Sequence, residues 1–226
     1  MVQSPDQAPG RIPPTRLPLF PLAGALLLPH ARLPLNIFEP RYLAMVRAAL
    51  AGDWSIGMIQ PREEGIEPPP LFEVGCVGRI TSLQETDDGR YLIVLTGTSR
   101  FRLREEIAVE TPFRQALVDY DDFAGDREVE TPSEALDMPG LIGQLRAYLE
   151  NRGITLDDKA ISALPEGRLV DYLCMVCPLE TAEKQALLEA SDLPERYRVL
   201  SALLATEGGS EEPAGRVIPF PGTTKH

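Results

Sequence analysis

Apolar residues follow two rhythms along this chain. Up to about residue 120 they fall in short runs of β type, and beyond it they recur three and four positions apart. The first two runs, residues 17–22 (LPLFPL) and 33–38 (LPLNIF), are punctuated by Pro18, Pro21, Pro29 and Pro34. A proline cannot donate to a sheet ladder, so both runs are expected as edge strands or strand ends. Pro40 then takes the first turn of a helix, where its missing N–H costs nothing. Leu43, Val46 and Leu50 continue at helical spacing, and Gly52 supplies a stop.

Residues 54–60 (WSIGMIQ) read as a short buried strand, and the charged, proline-laden PREEGIEPPP after them as a surface loop. Residues 71–83 place Val74, Cys76, Gly78 and Ile80 on one alternating face. Asp88-Gly89 is a hairpin turn signal. The clearest strand is residues 91–103 (YLIVLTGTSRFRL), where Leu92 and Val94 share one parity and Phe101 and Leu103 the other. Such a change of face calls for a β-bulge, and Gly97 is the natural place for it. Residues 113–120 (FRQALVDY) complete the set. Several short strands, turn signals and one early helix predict a partly closed β-barrel or a pair of curved sheets.

After the acidic, turn-rich DDFAGDREVETP the period becomes helical. Ile142, Leu145 and Leu149 form one stripe, with Gly153 past its end. Residues 157–164 predict a short helix closed by Pro165. Leu169, Val170, Leu173 and Val176 form another stripe, stopped by Pro178, and residues 181–190 follow with Leu187 and Leu188 apolar. Asp192 and Glu195 make a capping-box-like pair before a last helix buried on Tyr197, Leu200 and Leu204. The expected organisation is a polar, proline-rich arm over 1–15, a β-rich subdomain over 16–122, a helical subdomain over 130–206 and a tail, flexible by composition, over 207–226.

A hydrophobic content of 43% is enough for a genuine core. The formal charge of -12 narrows the partners. A phosphate backbone or an anionic membrane surface calls for clustered Lys and Arg, so nucleic acid and membranes are disfavoured. No apolar run is long enough to span a bilayer, and the N-terminal residues carry no apolar signal-peptide core. Three cysteines, an odd number, suit a reducing compartment, and the cytoplasm is the expected location.

Three ordered blocks carry a family resemblance. PLFPLAGALLLPHARLPLNIFEPRYLAMV resembles the opening of the Lon protease N-terminal (LON substrate-binding) domain, and GRITSLQETDDGRYLIVLTGTSRFRL is similar to its central strands. RLVDYLCMVCPLETAEKQALLEASDLPERYRVLSALL resembles its helical C-terminal part. The resemblance implies an α+β protein: a PUA-like β-barrel of about six short strands and one early helix, followed by an α-helical bundle. It also implies a module that recognises and holds protein substrates. Lon proteases continue into an ATPase module and a Ser-Lys peptidase domain. Here no phosphate-loop sequence or nucleophile block occurs, so a non-catalytic, stand-alone binding or adaptor protein with no cofactor is expected. A Lon-like peptidase acting alone, or an RNA-binding PUA-like protein, is the alternative.

The candidate chemistry is sparse. Cys174-x-x-Cys177 lies near a predicted helix C-terminus, where the dipole opposes a thiolate. Zinc would need two further ligands, and Cys76, His30 and His226 form no spaced pair, so core packing is the expected role and no metal site is assigned. His30 stands in a loop without a nucleophile motif. Ser162 follows Lys159 by one helical turn but has no oxyanion signature beside it. Glu63, Glu64 and Glu67 read as a solvated face, while Arg100, Arg102 and Arg104 alternate along one strand as a local basic stripe. The most specific short motif is Phe38, Glu39, Arg41 and Tyr42 around Pro40. As a binding site, Phe38 and Tyr42 would offer apolar surface to an unfolded segment of a partner protein, and Arg41 would bind a carboxylate. As a junction, the favoured reading, Arg41 and Glu39 would pair and fix helix to barrel.

Overall fold

The computed structural model describes residues 13–63, 65–127, 136–154, 164 and 166–205. Residues 1–12 of the arm expected over 1–15, residues 157–163 of the helix expected over 157–164, the tail 207–226 and the residues Glu64, Lys159 and Ser162 lie outside the described residues. The strands are β1 (Arg16–Pro21), β2 (Arg32–Ile37), β3 (Ser55–Ile59), β4 (Val74–Glu85), β5 (Tyr91–Ile107) and β6 (Gln115–Asp119), with α1 (Pro40–Ala51) between β2 and β3. A 3-10 segment (Asp121–Arg127) follows, then α2 (Met138–Glu150), α3 (Glu166–Val176), α4 (Thr181–Glu189) and α5 (Leu193–Ala205). The class is α+β, as expected. By contacts the chain forms two units, Met1–Val129 with Leu179–Leu188, and Glu130–Pro178 with Glu189–His226.

In the first unit the sheet order is β2-β5-β4-β3-β1-β6, and β6 also pairs with β5. The pairings therefore make a circuit of five strands, with β2 added outside β5. β2 lies at an end of this order, which tolerates Pro34 in mid-strand. β1 has a partner on each side, so of the two expected placements it is not an edge. It pairs with β6 over Arg16, Leu17 and Pro18 and with β3 over Leu19, Phe20 and Pro21. Pro18 thus falls where one partner hands over to the next, and Pro21 at the strand end, so neither proline interrupts a continuous ladder.

Both faces of β1 are covered. Leu17 and Leu19 join Ile59, Val77, Phe101, Ala116, Val118 and Tyr120 in the core. Phe20 turns to α1, where its ring centroid lies 4.3 Å from that of Tyr42. The buried face of α1 is Tyr42, Met45, Val46 and Ala49, so the expected stripe is rotated and Leu43 and Leu50 are half-buried. β4 is buried on both faces from Val74 to Gly78, rather than on one.

From Tyr91 to Phe101 the odd-numbered residues of β5 are all buried (Tyr91, Ile93, Leu95, Gly97, Ser99 and Phe101), with Arg100 alone buried from the other parity. The expected change of face does not occur, and Leu92 is 41% exposed. A bulge is nonetheless present beside Gly97, since Val77 opposes Ser99 while Gly78 opposes Gly97, leaving Thr98 over. It adjusts the register against β4. Gly97 is required because the backbone of Leu28 and Pro29 crosses it, with His30 N–H donating to Gly97 O at 2.8 Å and Gly97 N–H to Ala31 O at 2.9 Å. The β4–β5 turn has Gly89 at φ +79, as Asp-Gly foretold.

The second unit is helical. α2 is capped by Asp137, whose Oδ1 accepts from Gly140 N–H at 3.0 Å, and it buries Leu141, Leu145, Tyr148 and Leu149 while Ile142 is half-buried. α3 buries Leu169, Val170, Leu173 and Cys174, with Val176 half-buried. α5 buries Leu193, Arg196, Leu200 and Leu204, and Tyr197 is half-buried. Arg196 Nη1 donates to Asp171 Oδ1 at 2.8 Å, which neutralises the buried cation between α5 and α3.

Candidate functional site

In the first unit, the segments after β3 and between β5 and β6 enclose a groove of about 420 Å³ together with the end of β1 and the start of α1. Pro21 comes from β1 and Arg41 and Tyr42 from α1. Pro61, Glu67, Pro68 and Pro69 come from the loop after β3, and Glu106 to Gln115 (Glu110 excepted) from the β5–β6 connection. The local sequence explains the shape. Beyond the antiparallel Pro61–Leu71 bridge at its neck, prolines hold the loop away from helix and ladder pairing.

Arginines brace the walls. Arg114 forks onto Glu106, with Nε to Oε2 at 2.7 Å and Nη2 to Oε1, and its Nη1 donates to Pro69 O at 2.7 Å. It thereby ties the start of β6 to the end of β5 and to the proline loop. Arg41 pairs with Glu39 and with Glu67, each at 3.0 Å, and its guanidinium sits 4.7 Å from the Tyr42 ring centroid. Burial lowers the Arg41 pKa, but Tyr42, Glu39 and Glu67 together outweigh that and hold the group above its ordinary value. Burial raises the Tyr42 phenol, which Arg41 offsets in part. The site therefore presents a neutral phenol and carboxylate-bound guanidiniums.

The four candidate residues separate here. Arg41 and Tyr42 line the groove, Tyr42 with only 8% of its surface exposed, and Glu39 reaches it through Arg41. Phe38 is not part of the lining. It is 61% exposed, with the Arg90 guanidinium 6.0 Å from its ring centroid. Phe113, Arg114, Pro68 and Pro69 were missed. Their signal was the proline content of PREEGIEPPP and the PF pair before β6, which marks structure without naming what it faces.

The other candidates find structural surroundings. Arg100 is buried and bonded to Asp126 through Nε and Nη2, the latter at 2.8 Å. Arg102 pairs with Asp122 and Glu73, and Arg104 with Asp119, so the basic stripe is matched along its length by carboxylates. Cys76, Cys174 and Cys177 are buried and form no disulfide, and burial pushes the Cys76 and Cys174 thiols up, away from reactive thiolate. His30 occupies the turn before β2 at φ 61. Among the described residues no group of three His, Cys, Asp or Glu is placed to hold a metal ion. No described helix is long and apolar enough to cross a membrane.

Comparison with known proteins gives this architecture its family. Residues 16–206 match the model of the ATP-dependent protease La (LON) substrate-binding domain. The chain belongs to that family. A Lon protease 2 of Myxococcus xanthus is 28% identical over 195 residues, covering 84% of this chain and 24% of that protein. A Lon protease of Anaeromyxobacter dehalogenans is 25% identical over a similar span. The chain thus spans about a quarter of the length of these curated relatives. Among solved structures, a Lon N-terminal domain protein from Xanthomonas campestris superposes with a TM-score of 0.56 at 27% identity, covering 84% of this chain and 98% of that one. The N-terminal domain of the Mycobacterium avium complex Lon protease superposes with a TM-score of 0.57 at 19% identity, a likeness of fold. The LON substrate-binding domain read from three sequence blocks is thereby established over the same stretch.

Proposed function

We propose that this LON substrate-binding domain acts without catalysis, holding extended, unfolded segments of protein substrates in the groove at Arg41 and Tyr42. The observation that carries this reading is the groove itself, in which proline rings, Tyr42, Ile107, Val109 and Phe113 are rimmed by charged side chains. Its volume lies in the range of about 300–1,000 Å³ common to ligand pockets. An apolar side chain moved there from water gains about 1.5–3 kcal/mol. Two or three such side chains gain about 3–9 kcal/mol together, and the cost of ordering a flexible chain takes back a large part of it, so the holding is weak. Weak, renewable holding of that kind suits a module that must release what it presents. The three buried, reduced cysteines support a reducing, cytoplasmic setting.

Ala108 lies exposed on the groove lining, so Ala108→Trp plugs the groove from the solvent side and spares the core. Fluorescence anisotropy with a labelled, reduced and unfolded model protein tests the proposal. Binding at roughly tens of micromolar that Ala108→Trp weakens about tenfold or more is expected. Absence of binding at about 100 μM, or binding indifferent to the plug, refutes the groove.

A further inference from the structure

The groove's polar chemistry points to a narrower substrate class, and this step rests on the reading just given. Five lining residues, Pro21, Pro61, Pro68, Pro69 and Pro112, have no backbone N–H, so at those positions the backbone offers carbonyl acceptors alone, two of them already accepting from Tyr42 and Arg114. The two lining cations are already engaged: Arg114 by both oxygens of Glu106 and by Pro69 O, and Arg41 by Glu39 and Glu67. The carboxylates keep spare acceptor capacity. Glu67 has 74% of its side chain in solvent and Glu106 41%. Glu110, between lining residues Val109 and Thr111, is exposed as well. An incoming chain therefore meets apolar walls, acceptor oxygens and unspent negative charge, on a protein of net charge -12.

We propose that the groove prefers extended segments in which an apolar or aromatic residue is flanked by lysine or arginine. The apolar residue fills the space between the proline walls, and the flanking cations donate to Glu67, Glu106 and the proline carbonyls. Acidic-flanked segments find Arg41 and Arg114 already paired with carboxylates and meet like charge at the rim. The preference is electrostatic, so it weakens with salt, whereas apolar filling does not.

The test uses the whole chain and three labelled peptides sharing one apolar core, flanked by Lys, Gln or Glu pairs. At low salt the Lys-flanked peptide is expected to bind about tenfold tighter than the Gln-flanked one, as two exposed ion pairs allow, and the Glu-flanked one weakest. At about 0.3 M salt the ratio shrinks toward unity. Glu67→Lys, and independently Glu110→Lys, lowers the Lys-to-Gln ratio at least threefold. Glu150→Lys on α2 makes the same change in net charge at a residue that does not line the groove and leaves the ratio in place. Equal binding of all three peptides overturns the preference while leaving the groove's function standing. Loss of the ratio in Glu150→Lys as large as in Glu67→Lys also overturns it, since net charge would then be the cause. Absence of binding by any peptide overturns this proposal and the preceding one together.

Discussion

Arg100 shows how one buried charge is made tolerable. Its guanidinium and the carboxylate of Asp126 opposite are almost fully enclosed, at 5% and 8% side-chain exposure. Nε and Nη2 engage both carboxylate oxygens, Nη1 donates to Leu188 O at 3.1 Å, and the backbone N–H of Arg100 donates to Asp126 Oδ2 at 2.8 Å. The guanidinium also lies 4.8 Å from the Phe123 ring centroid. One residue of β5 thus holds the 3-10 segment and the last turn of α4. Removing a single partner strands the other charge, which costs about 3–5 kcal/mol, while removing both together costs less. In urea unfolding, Asp126→Ala is therefore expected to lose about that much, and Arg100→Met combined with Asp126→Ala to recover part of it. Strictly additive losses would mean the burial of an unpaired charge is not what is being measured.

At the scale of elements, helix caps were the most legible feature, because their chemistry is local. Asp192 Oδ1 accepts from Glu195 N–H at 2.8 Å, and Glu195 Oε2 accepts from Ser191 N–H at 2.6 Å. The reciprocal bond reaches Ser191 rather than Asp192 itself, a variant of the capping box inferred from the sequence. Asp192→Ala is expected to cost about 1 kcal/mol. Hydrogen bonding with the Ser191 side chain, and then with its backbone N–H, holds the Glu195 carboxyl below its ordinary value of 4.5, so its contribution is complete above that pH and is lost as the pH falls through the lower folded value. The protection factors of the first-turn amides of α5, taken relative to the intrinsic exchange rate at each pH, should therefore fall on acidification in the wild type and change less in Glu195→Gln. Features set by distant residues were legible only in outline. Nothing local to β1 reveals that its partner changes at Pro18, so its prolines suggest only an edge or a strand end. Leucine spacing in α1 established a helix but not its rotation, which Phe20 decides by covering Tyr42. In β5 the even-numbered apolar residues Leu92 and Val94 suggested an inward face, yet both lie on the outer side. The groove was the least legible of all. Only Arg41 and Tyr42 stood out, because its other walls come from segments separated by up to about ninety residues and become neighbours only through the pairing of β5 with β6.

At the scale of the whole molecule, the β-rich unit is completed by a piece of chain that the sequence presents as part of the helical half. Leu179–Leu188 groups with Met1–Val129 by contacts, and its side chains explain why. Leu187 and Leu188 are buried, and so are two residues whose type suggests surface, Lys184 and Gln185. Lys184 Nζ donates to Gly24 O at 2.6 Å, and Gln185 Nε2 to Val74 O at 3.0 Å. Gln60 Nε2, from just after β3, donates to Gln185 Oε1 at 3.1 Å and to Thr181 O at 3.2 Å. These bonds satisfy polar groups that the sheet would otherwise bury alone, and each such group left without a partner costs about 1–3 kcal/mol. Losing them together with two buried leucines removes an amount comparable with the whole stability of a domain, about 5–15 kcal/mol. A fragment ending at Val129 is accordingly expected to lack a cooperative unfolding transition, despite containing every strand. A synthetic peptide spanning residues 177–190, added in excess, should restore one, with a midpoint that rises with peptide concentration. The same peptide carrying Lys184→Met and Gln185→Leu has the apolar contacts without the polar ones and should restore it poorly. A fragment ending at Val129 that unfolds cooperatively by itself would show that the segment decorates the unit rather than completing it.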